Sequence, residues 1–169
     1  MKHLKTFLVA VVMIVGATGF VNAQSKVAHI NTQTLISEMP AMKAAQVELE
    51  KLSKTYEADI QDRFTKYQNK AKQYGAEAES QTDATNAARQ EELLKMEQEI
   101  TKYRNDAAAD LSKRRDDLLK PLMEQAKKAV EKVAKAQGFD YVIDSSNGGG
   151  VILADGKDLL ADVKKELGF

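Results

Sequence analysis

The sequence predicts an α+β fold, mostly α-helical, in which a long antiparallel helical hairpin of the coiled-coil type projects from a small β-rich oligomerisation body formed by both chain ends. Residues 41–120 contain no proline and a single glycine, and they carry a sparse apolar stripe with the period of a helix. Runs rich in β-branched and aromatic residues begin at residue 27 and at residue 139. Helix in the middle and strands at both ends indicate an arm attached to a body.

The first 23 residues have the pattern of a cleaved secretory signal peptide. Lys2 and Lys5 precede an apolar run over residues 6–17, and residues 21–23 provide the small-residue spacing that signal peptidase accepts. This run is shorter than the ~20 residues that span a bilayer. We therefore expect export with Gln24 as the mature N-terminus and no membrane insertion after cleavage; an uncleaved anchor is the alternative.

Cysteine and charge content exclude several classes of protein. The chain has no cysteine, so disulfides and thiolate metal sites are excluded. Without Lys2 and Lys5, 23 basic and 25 acidic side chains remain, and residues 41–120 contain 15 basic and 16 acidic ones. Because basic and acidic side chains are mixed along the chain and the net charge is slightly negative, we do not expect a general nucleic-acid-binding protein.

The segment before the arm predicts a short strand and a helical turn. Residues 27–30 form the strand candidate, and Asn31 or Thr32 is placed to cap a turn over residues 34–36. Pro40 is tolerated only in the first turn of a helix, so it marks the start of the arm.

The arm itself is predicted as two helices that fold back on each other. The first runs from about residue 41 to 74 and the second from about residue 85 to 120, with the tip within residues 75–88. Between Leu52 and Phe64, three consecutive four-residue steps form a stutter, which locally unwinds a left-handed supercoil. The stripe consists of Met42, Ala45, Leu49, Leu52, Tyr56, Ile60, Phe64, Tyr67, Ala71 and Tyr74, and then of Leu93, Met96, Ile100, Tyr103, Ala107, Leu111, Arg114 and Leu118.

Most stripe residues are expected to pack one helix against the other. The aromatic members have a second interpretation, because a tyrosine ring packs while its hydroxyl remains wet, which leaves it available to an apolar ligand. The candidates for external contact are Tyr56, Phe64, Tyr67, Tyr74 and Tyr103.

After the arm, the sequence predicts a helix, a β-hairpin and a last short helix. Pro121 predicts a kink or break, after which an amphipathic helix ends at Gly138. Residues 139–144 and 151–153 are strand candidates joined by a glycine-rich turn, which predicts a hairpin. Asp158 is placed to cap the final helix, which ends near residue 167.

A predicted hairpin and one short strand are too few strands to form a stable sheet alone. The simplest source of further strands is another copy of the chain. Residues 24–40 and 121–169 are therefore predicted to form an oligomerising body, with residues 41–120 as the arm. The candidates for the body core and the oligomer interface are Val27, Ile30, Val142, Ile143, Val151 and Leu153.

Nothing in the sequence predicts an active site. His29 is the sole histidine after residue 23 and has no second histidine or cysteine with which to build a metal site or a nucleophile–base pair. The run over residues 145–150 lacks the Gly-Lys-Ser/Thr ending of a phosphate-binding loop. Acidic pairs such as Glu91-Glu92 are interpreted as solvated charges. We expect no catalytic residue, no cofactor and no metal, and therefore no enzyme.

The ordered combination of these segments resembles the Skp (OmpH-like) family of periplasmic chaperones over residues 24–169. The resemblance is carried by the opening strand and its turn, the long charged helical pair, Pro121 with the helix that follows, the strand over residues 138–144, and the closing helix after Asp155-Gly156.

This resemblance implies a periplasmic homotrimer whose arms enclose a cavity. There it would hold unfolded outer-membrane proteins without nucleotide and prevent their aggregation. Well-known members are strongly basic, whereas this chain is nearly neutral and Lys113-Arg114-Arg115 is followed at once by Asp116-Asp117. No lipopolysaccharide site is therefore carried over, and apolar contact with the arm is expected to dominate. The alternative is a structural or tethering coiled-coil protein of the cell envelope.

Overall fold

The structure is a computed structural model that describes residues 25–148 and 150–169. The signal peptide predicted over residues 1–23 lies outside the described residues. In chain order the elements are β1 (Val27–Ile30), α1 (Thr32–Glu38), α2 (Pro40–Glu77), a 3-10 turn (Ala78–Ser80), α3 (Asp83–Ala136), β2 (Tyr141–Asp144), β3 (Lys157–Asp158) and α4 (Leu160–Leu167). The predicted fold class, a helical arm on a small β-containing body, is confirmed.

Local capping sets the start of the chain as the sequence predicts. The Asn31 side chain accepts a hydrogen bond of 2.8 Å from the backbone N–H of Thr34, which caps α1. Pro40 is the first residue of α2, where its missing N–H leaves no helical hydrogen bond unmade.

The hairpin turn at the tip is tighter than the predicted 75–88 segment. Helix α2 continues through Gly75 to Glu77, and α3 begins at Asp83. Thr82 caps α3 by accepting a hydrogen bond of 3.2 Å from the Thr85 N–H, and the Asn86 amide donates to the Ala78 carbonyl at 2.9 Å. These two polar contacts close the turn in few residues, so both helices are longer than predicted.

The sequence predicts a kink or a break at Pro121, and the break is wrong, because α3 runs without interruption from Asp83 to Ala136. Pro121 is solvent-exposed, while Leu119 and Leu122 on either side of it pack against the buried core of the body. Burial of the flanking leucines favours continuing the helix and offsets the hydrogen bond that proline cannot donate. Helix α3 therefore joins the arm to the body directly.

The predicted β-hairpin over residues 139–153 is also wrong. The strand over residues 139–144 is present as β2, but the three-stranded sheet has the order β2-β1-β3 and both of its pairings are parallel. Val27 lies opposite Tyr141, and Ala28 lies opposite Lys157. Strand β1 is central, so residues from both chain ends build one sheet.

The segment predicted as the second hairpin strand, residues 151–153, lies outside the sheet. Ile152 is 102% exposed and Leu153 is 82% exposed. The third strand of the sheet is instead the short polar β3, which pairs with β1 and whose main chain continues directly into α4. The physical reason is that edge pairing uses backbone groups, which polar residues supply as well as apolar ones.

The body is defined here as the buried cluster formed by β1, α1, the start of α2, the last turns of α3, and α4. Its most deeply buried large side chains are those of Ile30, Leu35, Leu159 and Val163. Helix α3 ends before Gly138, whose φ of 72° is the left-handed conformation of a helix C-terminal stop. The hydroxyl of Thr32 donates to Asp144 at 2.6 Å and ties β2 to α1.

Candidate functional site

The arm is held together along the predicted stripe. Met42, Ala45, Ile100 and Ala107 are buried, and most other stripe residues are half-buried between α2 and α3. Arg114, the charged member of the stripe, donates from its Nε to Glu48 on the facing helix at 2.8 Å. Packing is thus the main role of the stripe within the chain.

Two of the candidate aromatic residues contact each other in the middle of the arm: Tyr56, which lies in the stutter, and Tyr103 on the facing helix. The Tyr56 hydroxyl donates to Asp110 at 2.6 Å, and the Tyr103 hydroxyl donates to Asp59 at 2.7 Å. Their rings contact edge to face, with centroids 6.1 Å apart, and the Arg63 guanidinium lies 4.3 Å from the Tyr103 ring centroid. Each tyrosine therefore bridges the two helices and fixes their register.

Tyr74 belongs to a polar cluster near the tip. Its hydroxyl donates to Glu92 at 2.5 Å, and Lys70 also pairs with Glu92. Arg89 donates to Glu77 at 2.6 Å, and its guanidinium lies 4.5 Å from the Tyr74 ring centroid. Glu92, interpreted from sequence as a solvated charge, is instead bonded to two side chains of α2.

This cluster lowers the pKa of Glu92. The hydrogen bond from Lys70 is the largest cause and that from Tyr74 the second, against desolvation, which raises the pKa. A carboxylate whose pKa is lowered by folding stabilises the protein above its unfolded-state pKa, and this contribution disappears as the pH falls through the folded-state value. The tip is therefore expected to loosen on acidification.

Glu92→Gln is expected to lower stability at neutral pH and to make stability less sensitive to acid. Glutamine keeps the shape but cannot ionise, so the contribution present above the ordinary pKa of 4.5 is absent at every pH. Thermal unfolding followed above and below pH 4.5 measures both effects. Glu79→Gln, which changes an exposed residue of the turn, is the matched control. Parallel pH profiles for wild type and Glu92→Gln would contradict the assignment.

Phe64 and Tyr67 form the third aromatic location, on α2 between the other two. Their rings stack with centroids 6.3 Å apart and planes inclined by 23°. Phe64 is 36% exposed and Tyr67 is half-buried. The five candidates thus lie at three places along the arm, and this pair is the one most open to solvent.

The sheet of the body has one covered face and one uncovered face. Ala28 and Ile30 point into the core of the chain and are 1% exposed. On the opposite face, Val27 is 44%, Tyr141 61% and Ile143 45% exposed. Of the other interface candidates, Val142 and Val151 are half-buried and Leu153 is largely exposed. Ile30 therefore serves the core of its own chain.

Catalysis or metal binding requires suitable side chains that lie close together. The His29 Nδ1 lies 3.2 Å from the Ser145 hydroxyl. Within residues 25–148 and 150–169 there is no group of three or more potential metal-ligating histidine, cysteine or acidic side chains. No helix in the same ranges is both long and apolar enough to cross a membrane.

Three features of the arm are not predicted by the sequence. Leu94 lies off the stripe and is 52% exposed, and Gly75 was interpreted as part of the turn although it is helical. The paired tip charges were missed for a different reason: Tyr74 and Glu92 face each other only once the turn is placed between residues 78 and 82. Once the turn is located, antiparallel pairing of the two helices predicts which of these residues face each other.

Comparison with known proteins finds one family over most of the chain. The profile of the family described as outer membrane protein (OmpH-like) matches residues 26–167. The chaperone protein Skp of Pectobacterium atrosepticum (strain SCRI 1043) is 20% identical over 155 residues, which are 92% of this chain and 93% of that protein. An OmpH-like protein of Caulobacter crescentus CB15, named as a candidate outer membrane chaperone, shares the fold with a TM-score of 0.76 at 16% identity, covering 86% and 85% of the two chains.

Proposed function

Because the chain belongs to the outer membrane protein (OmpH-like) family, we propose that it is an ATP-independent holdase chaperone of the periplasm. Its clients are unfolded outer-membrane proteins, which it holds between helical arms and keeps from aggregating in transit. A curated relative that aligns with 92% of the chain is a chaperone, which supports the general role. The predicted signal peptide over residues 1–23 supports the location.

The observation that carries the proposal is the arm. Helix α2 has 38 residues, which at 1.5 Å per residue is about 57 Å, and only its first residues enter the core of the body. Several arms of this length side by side are able to wall a cavity that separates one client from another. Unfolded barrel proteins aggregate through exposed apolar strands, so isolation is the protection they need.

The same proposal assigns the aromatic side chains to client contact. Phe64 and Tyr67 are the most available, whereas Tyr56, Tyr74 and Tyr103 use their hydroxyls across the hairpin and present only their rings. The arm is close to neutral, with 15 basic and 16 acidic side chains over residues 41–120. Apolar contact therefore contributes more to client binding than electrostatic attraction does.

Assembly of several copies, three in this proposal, is supported by the uncovered face of the sheet. Parallel sheets occur almost only with both faces covered. Here Val27, Tyr141 and Ile143 leave one face apolar and open, and Leu153 of the same C-terminal segment as β2 is also exposed. A second and third copy would cover this surface. Residues 24–40 and 121–169 then form the trimerisation body and residues 41–120 the arm.

An aggregation assay tests the proposal. A β-barrel outer-membrane protein unfolded in urea is diluted into buffer with and without the purified protein, and light scattering is followed without nucleotide. Suppression is expected at about one trimer per client. An unrelated two-helix coiled coil at the same concentration is the control. Scattering that proceeds unchanged at several-fold excess of the protein would refute the holdase function.

The native mass of the assembly separates this function from a tethering role. Three copies fit a walled cavity, whereas two copies joined end to end fit a spacer. A spacer would also leave the client's aggregation unchanged.

A further inference from the structure

A groove lies between α2 and α3 near the tip of the arm. It has a volume of about 420 Å³, within the range of roughly 300–1,000 Å³ typical of binding pockets. Its apolar lining comes from Tyr67, Ala71, Gly75, Leu93 and Leu94. We call it the distal groove. The body lies at the other end of the helices.

Gly75 lines the distal groove without adding a side chain to it. It lies in the last turn of α2, where a glycine is less favourable to the helix than alanine. A Cβ built at this position meets nothing within 4 Å, and Gly75 is not among the glycines of positive φ. Neither backbone conformation nor close packing therefore requires glycine here. What its missing side chain provides is space in the groove.

The exposed apolar surface continues beyond the groove. Leu94 at its rim is 52% exposed, although α3 has a solvated face on which a polar residue would be expected. Tyr67 lines the groove and stacks on Phe64, which is 36% exposed. The groove and this aromatic pair together give a strip of apolar surface along the outer half of the arm.

Two ion pairs lie beside the groove. Arg89 bonds Glu77 and lies over the Tyr74 ring, and Lys70 bonds Glu92. Glu97, also at the groove, is exposed to solvent. The Arg89 Nη1 is buried without a hydrogen-bond partner, but the charge of Arg89 is already matched by Glu77. An anionic or cationic ligand would therefore have to compete with these internal pairs, whereas an uncharged apolar group leaves them intact. The charge distribution therefore fits an uncharged occupant.

We propose that the distal groove binds an aromatic or branched aliphatic side chain of an extended, unfolded polypeptide, with flanking residues of that polypeptide lying along Phe64 and Tyr67. This inference rests on the proposed holdase function and names its contact site. The assembly surface of the body is at the opposite end of the arm, so a client segment rather than a second copy is the occupant.

Filling the groove tests the inference. Gly75→Leu places a side chain in the space, and Leu94→Ser removes the exposed leucine. Each is expected to weaken binding of the urea-unfolded barrel protein about three- to tenfold, as for partial loss of one buried apolar side chain. Gly75→Ala keeps most of the space, and Val47→Ser changes a 66% exposed residue of α2 outside the groove. Both controls are expected to bind like the wild type.

A second measurement does not depend on affinity. Because the chain has no cysteine, Leu94→Cys and Val47→Cys each allow one environment-sensitive dye to be attached. Client is expected to shift the emission of the dye at residue 94 to the blue and to leave that at residue 47 unchanged.

The outcomes are distinguishable. If wild type binds the client but Gly75→Leu and Leu94→Ser bind within twofold of it, and the dye at residue 94 does not respond, the groove is not the contact site while the holdase function stands. If wild type binds no client, both proposals fall. A blue shift at residue 94 that grows with protein concentration in the absence of client would assign the groove to a second copy and overturn the inference. Helical circular dichroism of each variant verifies folding.

Discussion

Replacing Leu35 by alanine is expected to lower the free energy of unfolding by about 2–5 kcal/mol. Leu35 in α1 is 0% exposed and belongs to the cluster that also contains Ile30, Leu159 and Val163. These four residues come from β1, α1 and the C-terminal segment around α4, so the cluster connects both ends of the chain. Truncating Leu35 removes apolar burial and leaves a cavity where these elements meet.

Urea unfolding at a fixed chain concentration measures this loss, because assembly makes stability depend on concentration. Val47→Ala is the control: Val47 also lies in a helix but is 66% exposed, and its replacement should change stability by less than about 0.5 kcal/mol. Similar small losses for both variants would mean that α1 does not close the core of the body.

The elements that were predictable from sequence are those set by local patterns. The stripe gave the two arm helices because a helix repeats its face every 3.6 residues whatever it packs against. Asn31 and Pro40 marked helix starts because capping and the missing proline N–H act within one turn.

The sheet could not be predicted in the same way, because its pairings are distant in sequence. Val27 pairs with Tyr141, and the strand that completes the sheet is the polar pair Lys157-Asp158. The more strand-like Val151, Ile152 and Leu153 lie outside it. The two residues of β3 pair with β1 because the chain passes beside β1 on its way to α4, which packs on the core. A local sequence pattern contains no information about that path.

The candidate site was partly predictable for a related reason. Periodicity identified Tyr56, Tyr74 and Tyr103 but not their acidic partners, since those depend on the offset between the helices. That offset is fixed by the turn at residues 78–82. The sequence predicts only that the turn lies within residues 75–88. The distal groove depends on a missing side chain at Gly75, and a periodic pattern contains no signal for empty space.

Replacing Pro121 by alanine is expected to raise the free energy of unfolding by about 1–3 kcal/mol. Proline inside a helix is about 3 kcal/mol less favourable than alanine, because it cannot donate to the carbonyl four residues earlier, here that of Asp117, and its ring crowds that carbonyl. Alanine gives up part of this gain, up to about 1 kcal/mol, because it frees the unfolded chain. Pro121 is exposed, so little packing is lost with the ring.

Lys120→Ala, at the exposed position just before Pro121, is the matched control and should change stability by about 0.5 kcal/mol or less. Urea unfolding of both variants measures the two changes in stability, and a loss of stability in Pro121→Ala would mean that Pro121 does not weaken α3.

The expected gain in stability has a consequence for function. Since α3, like α2, runs from the tip of the arm into the core of the body, a residue that weakens it at this junction favours motion of the arm relative to the body. Pro121→Ala should therefore slow hydrogen exchange of the amides of residues 117–120 more than that of the amides near the tip.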